Sequence, residues 1–459
     1  MDAPSQLESF LNTHRADGRL LSGDGSFTLA RDKALLKLAD FQLPYEGAWA
    51  VKVVQCAVCV ENQSEIRVQQ TVRETRFGFD CPPSWTLDVL EGAFFTPESG
   101  DERSMNHLMS ALWTVGVGKK RGFLLTLPER TEALLWDGAV MHRLPLQEPV
   151  GCSLTVSHRP SDHSLGNWLK DPGLSRRLNA EVARALSDLC YTCPVPLWLD
   201  GRRLDGFHLC PTHGWTGNSF PFYLSFLDGI DGGLRIGSGT YGNLKAADKE
   251  DALSPGLHVM SVRALGALRK RTSCGGVMML SAHASKAVSR RYSKWETRIM
   301  PSICYWIRDG VVVEGNDIEV LDCACSVALF LGADDLQTDI SGLALVDANK
   351  ASRLVEGARR TKNELENVAE EAFTVIVSEA GKRGRVAGGA FLLLGTGLLF
   401  ASPLHGFACM GAGIFTWSSS GKEERQLVAT YREALKELTL NWPDRTSIRK
   451  MRVPLAKNS

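Results

Sequence analysis

The stretch AWAVKVVQCAVCVEN, residues 48–62, decides the fold of the first half of this chain. Its apolar side chains recur at intervals of three and four residues, which is the spacing of an α-helix. A helix with such a broad apolar face is expected to lie buried against a sheet. The positions that make this face are Trp49, Val53, Cys56, Ala57 and Val60.

The segments that follow this helix predict a sheet with further helices. Residues 64–80, SEIRVQQTVRETRFGFD, alternate apolar and polar side chains in two pieces and predict a pair of strands. Residues 122–146 predict three more strands, and residues 86–94 predict a short helix. Residues 104–120 predict a helix that runs into a glycine-bearing turn. This order predicts an α+β sandwich over residues 1–148, with helices on one face of a mixed or antiparallel sheet.

A second α/β region is predicted over residues 149–345. It opens with the strand pattern GCSLTVSHRP and continues with the amphipathic helix pattern LSRRLNAEVARALSDLC. Two strands then meet at Asp200-Gly201, and an Asp-Gly pair between apolar runs is a strong signal for a tight hairpin. After further β-rich runs, residues 346–385 predict a long charged helix.

The composition is that of a folded protein without a dominant charge. The chain has 459 residues, 44% hydrophobic and 23% charged, which predicts about two or three globular domains. Lys and Arg number 52, and Asp and Glu also number 52, so we expect no sequence-specific binding to nucleic acid. The opening residues are polar rather than leader-like, and we expect the 12 cysteines to be mostly free thiols in a reducing compartment.

Residues 386–417 contain no Asp, Glu, Lys or Arg, and Pro403 lies near their middle. This pattern predicts a hydrophobic helical hairpin that contacts membrane lipids, with both large domains on the cytoplasmic side. The alternative is a hairpin buried in a protein core, which we do not favour because neither arm has a polar stripe. Residues 418–459 predict an amphipathic helix and a basic tail.

Three stretches resemble the GHKL nucleotide-binding fold of gyrase, the ninety-kilodalton heat-shock chaperone, MutL-type repair ATPases and histidine kinases. Residues 49–68 resemble the family's first nucleotide helix and the strand after it. Residues 75–94 lie where the family has D-x-G-x-G and a helix, and residues 110–127 where its glycine-rich ATP lid leads into a strand. The region from GCSLTV to PVPLWLDGRRL resembles the transducer domain that follows. The resemblance implies a GHKL-like sandwich, a transducer-like domain and a site for ATP or ADP.

The resemblance also assigns residues to that site. The family uses a helix Asn to hold Mg²⁺ and a Glu one turn earlier to polarise water, but this sequence has Cys56 and Lys52 there. A thiol is a poor Mg²⁺ ligand and an ammonium is no base, so nucleotide binding without efficient turnover is expected. The residues expected to contact the nucleotide are Gln55, Cys56, Asp80, Gly116, Gly118, Lys119 and Lys120.

Two alternatives to a nucleotide-binding or partner-binding module stay open. One is a divergent ATPase that takes its magnesium ligand and base from Asn62, Glu61 or Asp80. The other is a non-enzymatic membrane scaffold whose domains dock an unknown protein partner. The sequence has no Walker, G-x-S-x-G or H-E-x-x-H motif, so it does not decide whether the chain is an enzyme.

A spacing of the form C-x2-C and C-x2-H suggests a structural zinc site. Cys190, Cys193, Cys210 and His213 have this spacing, and the predicted hairpin would bring the two halves together. Against zinc, Cys190 ends an apolar helix, and the domain is large enough to fold without a metal. We therefore favour ordinary core packing for these four residues.

Overall fold

The computed structural model describes residues 43–95, 102–148, 150–160, 173–214, 219–237, 244–246, 260–262, 272–288, 293–367, 429–443 and 448–451. Within these residues the chain forms two large sheets and six helices. The helices are α1 (Ala48–Cys59), α2 (Leu87–Phe95), α3 (Arg103–Leu112), α4 (Leu174–Leu189), α5 over 350–367 and α6 over 429–440. The α+β class predicted from the sequence is confirmed.

The first sheet, sheet A, has eight strands. They are β1 (Ile66–Gln70), β2 (Glu74–Gly78), β3 (Arg121–Thr126), β4 (Glu132–Trp136), β5 (Met141–Pro145), β6 (Ser153–Pro160), β7 (Leu197–Leu199) and β8 (Arg202–Arg203). Their order is β5-β4-β3-β6-β2-β1-β7-β8, and the pairing is antiparallel except between β1 and β7. Strands β6, β7 and β8 hydrogen-bond into sheet A, so this sheet contains residues from both sides of position 149. The division into domains at this position stays a prediction.

The second sheet, sheet B, contains the later strands. They are β9 (Ser219–Leu227), β11 (Leu244–Ala246), β12 (Met260–Val262), β14 (Gly276–Val288), β15 (Ser293–Thr297), β16 (Met300–Arg308), β17 (Val311–Cys323), β18 (Cys325–Gly332) and β19 (Ile448–Met451). The order is β11-β12-β9-β14-β18-β16-β17-β19, with β15 paired to β14. β10 (Leu234–Arg235) and β13 (Ser273–Cys274) form a separate small ladder.

Helix α1 lies between the two sheets, and its sequence explains why. Every residue from Ala48 to Val58 is buried. Trp49 makes an edge-to-face contact with Phe77 of sheet A, with ring centroids 5.6 Å apart. At the other end of the helix, Val58 packs against Gly310, in the turn between β16 and β17. One hydrophobic core therefore joins α1 to both sheets, and a second core packs α5 and α6 against sheet B.

The predicted turns are also visible in the backbone. The hairpin between β7 and β8 turns at Asp200 and Gly201, with φ angles of 49° and 79°. These left-handed values are the ones that a two-residue hairpin needs. The glycine-bearing turn after α3 is a π-helical turn, Trp113–Gly118, which continues directly from the helix.

The membrane prediction requires correction. Among the residues that the structure describes, no helix combines the length and the apolar character needed to cross a bilayer. This finding contradicts the predicted transmembrane character and membrane localisation. The segment 386–417 itself lies outside the described residues. A largely apolar helix of this chain can be buried between protein layers, as α1 is, so apolar character alone does not indicate lipid.

A substitution at Gly47 tests the close packing of α1. A Cβ atom at this position would lie 2.6 Å from the Glu181 carbonyl oxygen and 2.9 Å from the Ala185 Cβ atom of α4. We expect Gly47→Ala to lower the free energy of unfolding by about 1–3 kcal/mol, because two helices must separate. Urea denaturation measures this change.

The matched control is Gly92→Ala in α2, where the added Cβ atom meets no atom within 4 Å. This variant should gain up to about 1 kcal/mol, because alanine is the better helix former. Equal effects of the two substitutions would contradict the close contact between α1 and α4.

Candidate functional site

The strongest concentration of buried charge in the described chain surrounds Asp309. We call it the Asp309 network, and it joins α1 and α3 to the turn between β16 and β17. The Asp309 side chain is 1% exposed. The members of the network are Lys52, Cys59, Arg103, His107, Arg235, Arg308, Asp309 and Asp334.

Local sequence places these side chains on shared faces. Lys52 and Cys59 are seven residues apart on α1, so they point the same way after two turns. Arg103 and His107 are four residues apart on α3 and also share a face. Asp309 has a φ of 49°, and the following Gly310 has a φ of 76°. This Asp-Gly turn inserts the carboxylate between the two helices.

Asp309 accepts hydrogen bonds on both carboxylate oxygens. His107 Nε2 lies 2.9 Å from Oδ2, and the Cys59 thiol donates to Oδ1 at 3.2 Å. Arg103 Nε lies 3.1 Å from Oδ2. The Asp309 backbone N–H donates to Asp334 Oδ1 at 2.7 Å, which orients the turn. Asp309 is therefore held by groups from both helices and from sheet B.

The arginines around Asp309 are themselves tied to backbone carbonyls. Arg103 Nη2 donates to the Asp334 carbonyl at 2.9 Å, and Arg235 Nη1 donates to the Val58 carbonyl at 2.9 Å. Arg308 donates to the Leu336 carbonyl. These bonds use acceptors from α1 and from the loop after β18. The cations are therefore fixed parts of the interface rather than mobile surface charges.

The electrostatic environment shifts the pKa values of three side chains in the network. Burial raises the pKa of Asp309, but the hydrogen bond from His107 and the neighbouring cations outweigh it and hold the pKa at about 2. Burial lowers the pKa of His107 to about 4, despite the stabilising carboxylate. Burial also lowers the pKa of Lys52 to about 7, against the attraction of Asp309. At neutral pH, an ionised Asp309 therefore accepts a hydrogen bond from the Nε2–H group of a neutral His107.

Lys52 completes the chain of polar contacts. Its Nζ atom lies 3.5 Å from His107 Nδ1, the ring nitrogen that has a free lone pair when Nε2 carries the proton. Lys52 is 2% exposed. A Cβ atom on Gly342 would lie 2.7 Å from this Nζ, so the glycine leaves room for the lysine to fit.

Three of these residues also form a candidate metal-ligand set. Among the described residues, Cys59, His107 and Asp309 are the one group of three or more whose ligand atoms lie within 4.8 Å of one another. Burial, followed by the Asp309 charge, raises the pKa of the Cys59 thiol to about 12, so the thiol stays protonated. Since cations already surround Asp309, a divalent metal would have to displace Arg103 and lie among like charges. The arrangement fits an ion-pair network better than a metal site.

The residues predicted to hold a nucleotide lie in several different environments. Gln55 and Cys56 are fully buried in α1. Gln55 Nε2 donates to the Arg308 carbonyl at 3.2 Å, while its Oε1 has no hydrogen-bond partner. Asp80 is exposed after β2, and its Oδ2 accepts from the Ser64 N–H and hydroxyl at 2.8 and 2.7 Å.

The predicted lid residues belong to the π-helical turn and its end. A Cβ atom on Gly116 would lie 2.9 Å from Phe123, and the Gly116 carbonyl accepts from Trp136 Nε1 at 3.1 Å. Gly118 is the last residue of the turn. Lys119 Nζ lies 3.1 Å from Glu46 Oε2, and Lys120 has a φ of 51°. Binding of ATP or ADP by these residues stays a prediction.

The four residues with zinc-ribbon spacing do not gather around one point. His213 contacts the Tyr305 hydroxyl through Nδ1 at 3.1 Å and the Pro301 carbonyl through Nε2 at 3.0 Å. Cys190, Cys193 and Cys210 are all buried, and the Cys193 N–H donates to the Cys190 carbonyl. The metal-ligand set that the described residues do contain includes none of the four.

The Asp309 network was missed at the level of sequence. Its central residue lies far along the chain from the helices that it contacts: His107 and Asp309 are 202 positions apart. One usable signal was the Asp-Gly pair inside SICYWIRDGVVVEG, which is typical of a hairpin turn. A second was Lys52, an isolated charge within an otherwise uncharged helix.

Comparisons with known proteins add two distant structural likenesses. No protein-family model matches this sequence, and no curated protein matches it. Among solved structures, the N-terminal domain of a DNA repair protein is similar over 73% of this chain and 99% of that chain, with 8% identity and a TM-score of 0.30. The MutL ATPase domain of Aquifex aeolicus complexed with ADP is similar over 59% of this chain and 85% of that chain, with 10% identity and a TM-score of 0.25.

The depressed pKa of Lys52 predicts a dependence of stability on pH. Unfolding returns the lysine to a pKa of about 10.4, so the unfolded chain binds more protons than the folded chain between about pH 7 and that value. The free energy of unfolding should therefore rise with pH across this window. In Lys52→Met the rise should be smaller, and stability at pH 7 should be equal or higher because the side chain is buried. Urea denaturation at several pH values measures both; an unchanged slope would contradict the assignment.

A second substitution tests the charge of Asp309. Asparagine keeps the shape of aspartate and tolerates a positive φ, so Asp309→Asn removes the charge with little backbone strain. The surrounding cations then lose their counter-ion. Because Arg103 and Arg235 are 37% and 41% exposed, water compensates part of this loss, and we expect the free energy of unfolding to fall by about 1.5–3 kcal/mol. The matched control is Asp200→Asn, which has the same φ of 49° but lies in an exposed hairpin. A similar small effect from both would show that the Asp309 network contributes little to stability.

Proposed function

We propose that this chain is a GHKL-like module that binds ATP or ADP without hydrolysing it efficiently. We expect no efficient hydrolysis because Lys52 is buried at the helix position where the family has its catalytic carboxylate. Lys52 contacts His107 and belongs to the Asp309 network, whose central carboxylate comes from sheet B. The helix surface that would polarise water is instead used to join two layers of the protein.

The chemistry of Lys52 and Cys56 supports this assignment. An ammonium group has no lone pair to accept a proton, and a neutral lysine amine here would remain enclosed by protein. Burial raises the pKa of the Cys56 thiol well above its ordinary value, so it offers no anionic ligand. Mg²⁺ prefers oxygen ligands and is repelled by nearby cations. These residues therefore do not fit a magnesium ion.

The basic end of the π-helical turn is the proposed contact for the phosphates. Lys119 is about half exposed and shares Glu46 with Arg121. A polyphosphate carries more negative charge than this one carboxylate and would compete with it for Lys119. In this proposal the nucleotide replaces an existing surface ion pair, so binding requires no rearrangement of the buried network.

The divergent ATPase remains the alternative with a specific structural basis. Glu61 and Asp80 are exposed carboxylates close to the end of α1 and to the strands that follow it. Asn62 lies in the same turn as Glu61, with a φ of 58°. Measured phosphate release separates this alternative from the proposal, since binding alone releases none.

Isothermal titration of the full chain with ADP and with ATP tests the proposal. We expect binding of both nucleotides and no phosphate release above background when Mg²⁺ is added. Lys119→Ala combined with Lys120→Ala should weaken binding about tenfold or more, because a hydrogen bond to a charged group contributes about 1.5–3 kcal/mol. The control is Lys436→Ala, an exposed lysine on α6.

Each outcome has a distinct meaning. Heat of binding that is lost only in the double variant supports the proposed site. Phosphate release that is lost in Asp80→Asn supports the divergent ATPase. No binding of either nucleotide overturns the proposal and favours the non-enzymatic scaffold.

A further inference from the structure

A pair of cysteines lies where β2 ends and β6 begins, apart from the Asp309 network. β2 pairs with β6 in antiparallel register, with Gly78 opposite Ser153. The Phe79 N–H donates to the Cys152 carbonyl at 3.3 Å, which continues the ladder by one residue. Cys81 is two residues beyond Phe79, the residue whose N–H pairs with Cys152. Both residues are free thiols.

The two thiols are in direct contact. The Cys152 thiol donates a hydrogen bond to the Cys81 sulfur. This bond favours the thiolate of Cys81 and lowers its pKa, whereas the same contact followed by burial raises the pKa of Cys152. Cys81 is therefore the more nucleophilic of the two thiols. In a redox pair, it would be the attacking thiol, and Cys152 would be the resolving thiol.

The surroundings leave the pair accessible. Cys81 is half-buried, while Cys152 is 6% exposed and follows the exposed Gly151. A Cβ atom on Gly151 would meet no atom within 4 Å, so the chain is open to solvent one residue before Cys152. Residues 79–82 lie beyond the end of β2 at Gly78 and have no regular secondary structure.

We propose that Cys81 and Cys152 form a reversible disulfide when the chain meets a peroxide. The Cys81 thiolate attacks one oxygen of hydrogen peroxide, which forms an S–O bond, breaks the O–O bond and releases hydroxide that is protonated to water. The Cys152 sulfur then attacks the Cys81 sulfur, which forms the S–S bond, breaks the S–O bond and releases a second hydroxide that takes the Cys152 proton. Two thiols lose two electrons in total, and one peroxide becomes two waters.

The disulfide would restrain the loop that carries Asp80. Asp80 directly precedes Cys81 and accepts hydrogen bonds from Ser64, beyond the end of α1. A covalent bond to Cys152 would fix this loop against the start of β6. Formation of the bond does not depend on nucleotide binding, so its test is independent of the proposed function.

Peptide mapping of the full chain tests the disulfide. The protein is treated with a small excess of hydrogen peroxide, blocked with N-ethylmaleimide, digested without reductant and analysed by mass spectrometry. We expect a linked peptide pair that contains Cys81 and Cys152 and disappears with dithiothreitol. In the reduced protein, iodoacetamide should modify Cys81 at least about tenfold faster than Cys59, whose pKa is raised to about 12.

Single variants establish the order of the two steps. In Cys152→Ser, Cys81 should stop at the sulfenic acid, which dimedone traps. In Cys81→Ser, Cys152 should remain a thiol. Cys190 and Cys193 serve as an internal control, because they are also close together but are only 0% and 3% exposed.

The mapping of the unsubstituted chain decides the proposal even if a variant fails to fold. A Cys81–Cys152 link that forms before any link between Cys190 and Cys193 supports it. Linkage that favours Cys190 and Cys193, or oxidation of Cys81 to the sulfinic acid without any link to Cys152, overturns it.

Discussion

The arrangement of the two sheets depends on one buried negative charge. Asp309 lies at the tip of a hairpin in sheet B and accepts hydrogen bonds from α1 and α3, the helices that pack with sheet A. A carboxylate removed from water is costly unless hydrogen bonds and opposite charges replace the lost hydration. Here His107, Cys59 and Arg103 supply that replacement, so the hairpin tip has one favourable position.

The network also explains why α1 tolerates polar residues without facing water. Gln55 donates to a carbonyl of β16, and Lys52 extends towards His107. Replacing a buried ion network by apolar side chains often leaves stability unchanged or higher, whereas removing only the central carboxylate leaves its cations without a counter-ion and is destabilising. The network is therefore better understood as a device that selects one docking arrangement. Apolar packing along α1 contributes most of the stabilising free energy.

Much of the fold was readable from local sequence, and the site was not. The periodicity of residues 48–59 predicted a buried helix, and alternation predicted β1 and β2, because both patterns report which side of an element avoids water. Lys52 and Cys56 differ from the pattern of the family that the sequence resembles, and binding without turnover at that position stays a prediction. Periodicity carries no information about which distant hairpin reaches a helix, so Asp309 stayed hidden. The glycines near Gly116 predicted a glycine-bearing turn after α3, and the turn is π-helical, with Phe123 and Trp136 packed against it.

The position of the Asp309 hairpin in the chain has a consequence for biosynthesis. A ribosome releases α1 and α3 long before it releases residue 309, and domains generally fold as their residues emerge. Until then Lys52 and Arg103 have no carboxylate from sheet B to neutralise them, and the surface of α1 that the hairpin covers stays open to water. The nascent chain that contains α1, α3 and sheet A should therefore remain a substrate for chaperones until sheet B has been synthesised and covers α1.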